Sequence, residues 1–291
     1  MTFLYQILNG IQIGAIYALV ALGYSMVYGI VKLINFAHGD IIMLGSYAVW
    51  YFMTRLNMPW WLATIATIIF CSIVGIIIEK LAYKPLRNSA RISLLITAIG
   101  VSLFLQNTVQ LIFTANPKMF VTFIPSGGFS IGNRSISYTT LITIAISAAI
   151  MVALTLLVSK TKIGKAMRAV SEDNRTAQLM GINVDNTISF TFALGSGLAA
   201  VAAVLYVCSY SQIAPTMGSM LGLKAFVAAV LGGIGSIPGA MLGGLLIGVA
   251  ESLTKGYISS QLADAVLFGI LIIVLLVKPT GFFGRGDREK V

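Results

Sequence analysis

Charge is what this sequence has least of. Only 10% of its 291 residues are Asp, Glu, Lys or Arg, against about 25% in an ordinary soluble domain. A soluble chain of this size would bury about 75% of its unfolded surface and still need polar residues to cover the rest. They are missing, which excludes a water-soluble globular enzyme. Histidine occurs once, as His38, and cysteine twice, as Cys71 and Cys208, both within apolar runs. No metal or disulfide spacing can be assembled from these. There is no Gly-x-x-x-x-Gly-Lys-[Ser/Thr] phosphate loop, no His-Glu-x-x-His and no Gly-x-Ser-x-Gly, so no cofactor is expected on this chain. The first apolar run has neither a basic segment before it nor an Ala-x-Ala site after it, so no cleavable leader is expected.

What is present is apolar: 58% hydrophobic residues and 29 glycines. A membrane helix needs about 20 apolar residues. Runs of that order cover about 4–29, 38–56, 60–79, 93–114, 138–158 and 187–210. A long glycine-rich stretch follows at 225–249, and a last run at 262–277. Continuous runs of this length exclude ten-residue barrel strands. The sequence therefore predicts an all-α polytopic membrane protein with about eight transmembrane or partly re-entrant helices, forming one domain over 1–291.

The net charge of +10 follows from topology and needs no nucleic acid. Lys80, Lys84, Arg87 and Arg91 lie between the third and fourth runs. Lys160, Lys162, Lys165, Arg168 and Arg175 lie between the fifth and sixth, and Lys278, Arg285, Arg288 and Lys290 follow the last. Under the positive-inside rule all three segments face the cytoplasm. The 115–137 loop is then outside, and Pro117, Pro125, Gly127, Gly128 and Gly132 read as a turn-rich structure. The segment 30–37 is inside and the N-terminus outside. Between Asp185 and Lys278, however, three runs would leave an odd number of crossings. The conflict points to Gly232, Gly233, Gly235, Pro238 and Gly239, where glycine permits a bend and proline removes a donor. A break is predicted there, as a hairpin, a re-entrant element or two short spans.

The most polar insertion in the N-terminal half runs from Asn35 to Asp40. Asn35 or Asp40 capping a helix is one reading. A place on a translocation path or at its gate is the other, for Asn35, His38 and Asp40, because polar groups at membrane depth are costly. Asn107, with Gln106 and Gln110, is a further path candidate in the fourth run, as are Gly232, Gly233, Gly235 and Pro238. The small residues Gly10, Gly14, Gly23, Gly29, Gly195, Gly197, Gly243, Gly244 and Gly248 suit close helix approach. Glu79, Glu251 and Asp264 fall near span ends. With no ionisable group at the centre of the well-defined spans, an ion-driven carrier is disfavoured.

The segment 159–185, SKTKIGKAMRAVSEDNRTAQLMGINVD, is 27 residues long, where a bare helix connector takes about 2–8. Ile163, Met167 and Val170 recur at helical spacing, and Ala177 and Met180 continue before Gly181, a fitting C-terminal cap. Two short helices with apolar knobs on a charged background predict a docking surface for a cytoplasmic partner. A helix lying on the lipid interface is the alternative.

Three stretches carry a family resemblance. NGIQIGAIYALVALGYSMVYGIVKLINFAHGDIIMLGSY from Asn9, GKAMRAVSEDNRTAQLMGI from Gly164 and VLGGIGSIPGAMLGG from Val230 together resemble the LivH-type permeases of branched-chain amino acid ABC transporters. The resemblance implies a bacterial or archaeal inner-membrane subunit paired with a second, LivM-like permease. It also implies two cytoplasmic ATPase subunits that bind ATP, and an extracytoplasmic protein delivering leucine, isoleucine or valine. It would make Gly164, Arg168, Glu172, Asp173, Ala177 and Gly181 the core of the coupling segment to the ATPase. Urea or short-amide importers share the Asn-x-Ala-His-Gly-like element and stay open as an alternative, as do a stand-alone channel or facilitator and a membrane scaffold. Whether the permease core is a homodimer or a heterodimer is left open.

Overall fold

The computed structural model describes residues 2–32, 35–87, 89–125, 127–131 and 134–284; Gly132, Arg285, Arg288 and Lys290 lie outside them. The chain runs α1 (Thr2–Val31), α2 (His38–Thr54), α3 (Trp60–Ile78), α4 (Arg91–Phe113), α5 (Tyr138–Lys160), α6 (Lys162–Glu172), α7 (Asn174–Leu179), α8 (Val184–Tyr210), α9 (Met217–Gly232), α10 (Ile237–Tyr257) and α11 (Ala263–Val277). A π turn at Glu79–Tyr83 and a 3-10 turn at Lys84–Leu86 prolong α3. Among the described residues six helices are long and apolar enough to span a bilayer: α1, α3, α4, α5, α8 and α10. The apolar helices α9 and α11 have 16 and 15 residues, about 24 Å of rise at ~1.5 Å per residue.

The expected loop outside the membrane is built from short strands. Strands β2 (Gly128–Ile131) and β3 (Arg134–Ser137) form an antiparallel hairpin. Strand β1 (Lys118–Met119) pairs with β4 (Gln212–Ile213), which ties this loop to the far end of α8. The basic segments gather at the opposite end, where Val31, Lys84, Arg87, Asn174 and Asp185 line one cavity.

The predicted break falls at Gly233–Ser236. Gly233 and Gly235 take φ values of +101° and +90°, which an L side chain would resist. The Ser236 hydroxyl then caps α10 by accepting from Gly239 N at 3.2 Å. Pro238 sits in the first turn, where a missing N–H costs nothing. The carbonyls left at the end of α9 accept from the tail that follows α11: Phe282 N to Leu231 O at 3.0 Å and Phe283 N to Gly232 O at 2.9 Å. Residues 217–257 thus form two helices, α8 to α11 number four, and the parity conflict disappears.

Helix α1 is the axis of the bundle, buried along most of its length and packed on α8, α9 and α10. Its crossing with α10 explains the glycine pattern. A Cβ at Gly14 would lie 2.9 Å from Leu245 Cα, and one at Gly248 would strike the backbone of Gly14. Only backbone-to-backbone contact fits there. Helices α3, α4 and α5 are largely exposed and turn Ile69, Ile73, Phe104, Leu111, Val152 and Leu156 outward. Lipid is the medium in which such faces are stable.

Candidate functional site

The Asn35–Asp40 insertion is not at a surface. Helix α2 starts inside the bundle, with Asn35, His38 and Asp40 each no more than 2% exposed. Its N-cap is Ala37, with no side-chain cap bond, so neither Asn35 nor Asp40 caps it. Their side chains instead join helices. Asn35 Oδ1 accepts from the Tyr83 hydroxyl at 2.7 Å, in the turn that prolongs α3. Asp40 Oδ1 accepts from Gln106 Nε2 on α4 at 2.9 Å, and the same Gln106 nitrogen lies 2.8 Å from Ser219 Oγ on α9. Gly39 is pressed on α9: a Cβ at Gly222 would come within 2.6 Å of Gly39 Cα.

His38 meets the edge of Tyr24, ring centroids 4.8 Å apart, and fills the space that Gly23 leaves open. Among the described residues no three His, Cys, Asp or Glu side chains could share a metal ion. Asn107 is exposed, and its amide donates to Leu103 O of its own helix at 2.7 Å. Its neighbour Gln106 is the residue that reaches the buried polar joint. Gly232, Gly233, Gly235 and Pro238 shape the α9–α10 turn beside the end of α1, where Gly235 Cα would be 3.7 Å from a Cβ at Gly29.

A buried ionic network went unseen in the sequence. Lys224, in the middle of α9, contacts Glu251 of α10 at 2.8 Å and Asp264 of α11 at 2.7 Å. Lys255 adds a contact to Glu251 at 2.6 Å, and the Tyr17 hydroxyl of α1 donates to its other oxygen at 2.8 Å. Glu251 is 1% exposed. The apolar run beginning at Ala225 hid this, because α9 starts eight residues earlier, at Met217, and takes Lys224 inside. The i,i+4 spacing of Glu251 and Lys255 was the available signal. The opposed charges compensate each other across three helices, with the Tyr17 hydroxyl of a fourth joining them, a structural clamp rather than a lone relay group.

At the basic end, the buried carboxylate of Glu79 pairs with Arg87 and accepts from Ser189 Oγ at 2.6 Å. Arg87 and Lys84 also meet Asp185, each at 2.6 Å. The loop after α3 is thereby held to the start of α8. Beside it opens a cavity of about 680 Å³ between the end of α3, α7 and α8.

The 159–185 segment folds as two helices, as its pattern implies. Thr161 Oγ1 accepts from Gly164 N at 3.0 Å and caps α6. Asp173 ends α6 and caps α7, accepting from Arg175 N at 2.8 Å and Thr176 N at 3.2 Å. Gly181 at φ +82° closes α7, with Gly181 N to Gln178 O at 3.0 Å and Ile182 N to Ala177 O at 3.1 Å. That pair of bonds is the Schellman arrangement. Gly164 lies on the last carbonyls of α5, and Arg168 donates to Val158 O at 2.7 Å.

The apolar knobs divide differently from the sequence reading. Met167, Val170 and Ala177 are buried against the bundle, while Ile163, Leu179 and Met180 are 48%, 87% and 78% exposed. Helix periodicity marks an apolar face without saying which neighbour it meets; α1, α5 and α8 take most of this one. The outward surface is Ile163 and the Leu179–Met180 tip, with Glu172 exposed nearby.

A lipid-facing helical bundle with buried polar joints and a folded appendage at its basic end defines a multi-pass membrane transport subunit. Residues 6–275 match the family described as branched-chain amino acid transport system, permease component, and the chain belongs to that family. It is 47% identical to the high-affinity branched-chain amino acid transport system permease protein BraD of Pseudomonas aeruginosa, over 99% of this chain and 98% of that protein. Identity to the corresponding LivH permease of Escherichia coli K12 is 46%, with the same coverage. A probable LivH permease of Methanocaldococcus jannaschii is 30% identical over 91% of this chain and 88% of the relative. Among solved structures, a chain of PsaBC from Streptococcus pneumoniae in complex with Fab shares the fold, with a TM-score of 0.50 and 15% identity, covering 97% of this chain and 94% of that one. The chain is a transport subunit and not an enzyme.

Proposed function

We propose that this chain is one permease subunit of an ABC importer for leucine, isoleucine and valine. Its whole length, 1–291, acts as one membrane domain, and 159–185 is its cytoplasmic coupling segment. The observation that carries the reading is the 47% identity, over nearly the full length, to a permease named for branched-chain amino acid transport. A second, LivM-like permease completes the path, two cytoplasmic ATPase subunits bind and hydrolyse ATP, and an extracytoplasmic binding protein delivers the substrate.

The 159–185 segment suits the coupling role mechanically. Gly164 and Arg168 fix α6 to the end of α5, and Asp173 and Gly181 set the two ends of α7. Ala177 anchors α7 inward, while Glu172 and the Leu179–Met180 tip remain for the ATPase. Movement of the ATPase pair would then be passed through packed helices to the spans, shifting the population between outward- and inward-open packings. Asn35, Asp40 and Gln106 form the polar joint at which α2, α3 and α4 meet inside the bundle. These groups offer a zwitterion hydrogen-bonding partners at membrane depth, and His38 shapes the same joint by packing.

The test is co-expression with the ATPases, second permease and binding protein, reconstitution in liposomes and uptake of radiolabelled leucine. Uptake that requires both ATP and the binding protein supports the proposal. Flux by this chain alone, indifferent to ATP, would overturn it, and uptake of urea in place of leucine would overturn its substrate.

A further inference from the structure

The cavity at the basic end is lined in part by the coupling segment, through Asn174, Gln178 and Asp185. Its volume of about 680 Å³ falls in the range of small-molecule sites, roughly 300–1,000 Å³. Lys84, Arg87 and Asp185 line it together, and Leu94 and Ile188 are among its apolar lining residues. Arg87 bridges the cavity carboxylate Asp185 and the buried Glu79. The Lys84–Asp185 pair in its lining is about half exposed at both ends, 48% and 50%. Such a pair is worth little and opens cheaply, whereas Arg87 stays anchored by the buried Glu79.

We propose that this cavity is a cytoplasmic binding site for a zwitterionic aliphatic amino acid, through which accumulated substrate acts back on the coupling segment. The ligand's ammonium joins Arg87 at Asp185 in place of Lys84, its carboxylate takes Lys84, and its side chain lies on Leu94 and Ile188. One exposed ion pair is exchanged for two, each with a charge-assisted hydrogen bond. The effect on coupling follows from position: Asn174 and Gln178 of α7 line the same cavity. A filled cavity holds α7 against α8, and movement of α7 then costs the ligand contacts, so occupancy slows the cycle. A ligand lacking either charge leaves Asp185 or the cations as they were and gains no such hold.

The inference rests on the amino-acid importer reading, and the test separates the two. The assembled complex, without the binding protein, is titrated with radiolabelled leucine by equilibrium dialysis. In parallel, liposomes carrying ATP inside are loaded with increasing leucine, and initial uptake of label from outside is measured with the binding protein present. Leucine binding that is weakened about tenfold or more by Asp185→Asn, the effect of losing one charged hydrogen bond, is expected. Ile188→Trp, which fills the cavity, should act likewise. Lumenal leucine should slow uptake and ATP hydrolysis in the unaltered complex. Isoamylamine and 4-methylpentanoate, each lacking one charge, should not. In both variants the inhibition, relative to each one's own leucine-free rate, should largely disappear. Uptake of leucine with no such binding, or with binding and inhibition unchanged in the variants, overturns the inference alone. No uptake and no binding of leucine by the unaltered complex overturns the substrate reading and this inference with it.

Discussion

Replacing Glu251 tests whether the buried charges clamp the bundle. Its carboxylate is 1% exposed and meets Lys224, Lys255 and the Tyr17 hydroxyl, all within 2.8 Å. Glu251→Ala leaves Lys224 with Asp264 alone and strips Tyr17 of its acceptor. Breaking one side of a buried pair costs about 3–5 kcal/mol. Lys255 is 39% exposed and can return to water, and Asp264 still holds Lys224, so the low end, about 3 kcal/mol, is expected. Lys224→Met is expected to cost less, about 1–3 kcal/mol, because Lys255 and Tyr17 continue to satisfy Glu251. The double replacement Lys224→Met/Glu251→Leu removes both buried charges and should be more stable than the sum of the two changes implies, by about 1–3 kcal/mol. Unfolding in detergent micelles, followed by thermal aggregation and by denaturant titration, reads all three. Additivity within about 0.5 kcal/mol would refute the clamp and mean that these charges find water in the native bundle.

Gly14→Leu should abolish folded protein in the membrane, since a side chain there meets the α10 backbone 2.9 Å away at Leu245 Cα; size-exclusion profiles of the detergent-solubilised chain check it. Gly181→Val forces a branched residue to φ +82°, which costs about 1–2 kcal/mol, and is expected to fray α7 while leaving the spans intact. The readout is reduced leucine uptake per ATP hydrolysed at unchanged thermal stability of the bundle. Leu179→Asp together with Met180→Asp charges a tip that is 87% and 78% exposed. These changes should leave the permease folded but sharply reduce co-purification of the ATPase subunits. Gln106→Ala, which removes the amide between Asp40 and Ser219, is expected to lower uptake at least about tenfold, the worth of a hydrogen bond to a charged group. By contrast Asn107→Ala, outside the joint, should change uptake little.

The order of spans, the basic end and the break near Gly233 were legible because each depends on local chemistry. Lipid demands long apolar runs, membrane insertion leaves cations inside, and glycine and proline decide where a helix stops. The cap at Gly181 was readable for the same reason, since it acts on backbone three or four residues away. The depth of Asn35, His38 and Asp40, the choice of Gln106 over Asn107 and the partners of Lys224 were not. Each of these depends on which helix lies across from which, and periodicity along one helix carries no record of its neighbour. The same limit governed the coupling segment, where spacing marked Met167 and Val170 as apolar but only the packing of α6 on the bundle turned them inward and left Leu179 and Met180 outside. The sequence by itself thus determined that the chain is a bundle of apolar helices and where its glycine-rich stretch breaks, because backbone and solvent act on each segment separately. Tertiary structure alone decided which polar groups meet, because a buried charge or amide is satisfied only by whatever the opposing helix brings to it.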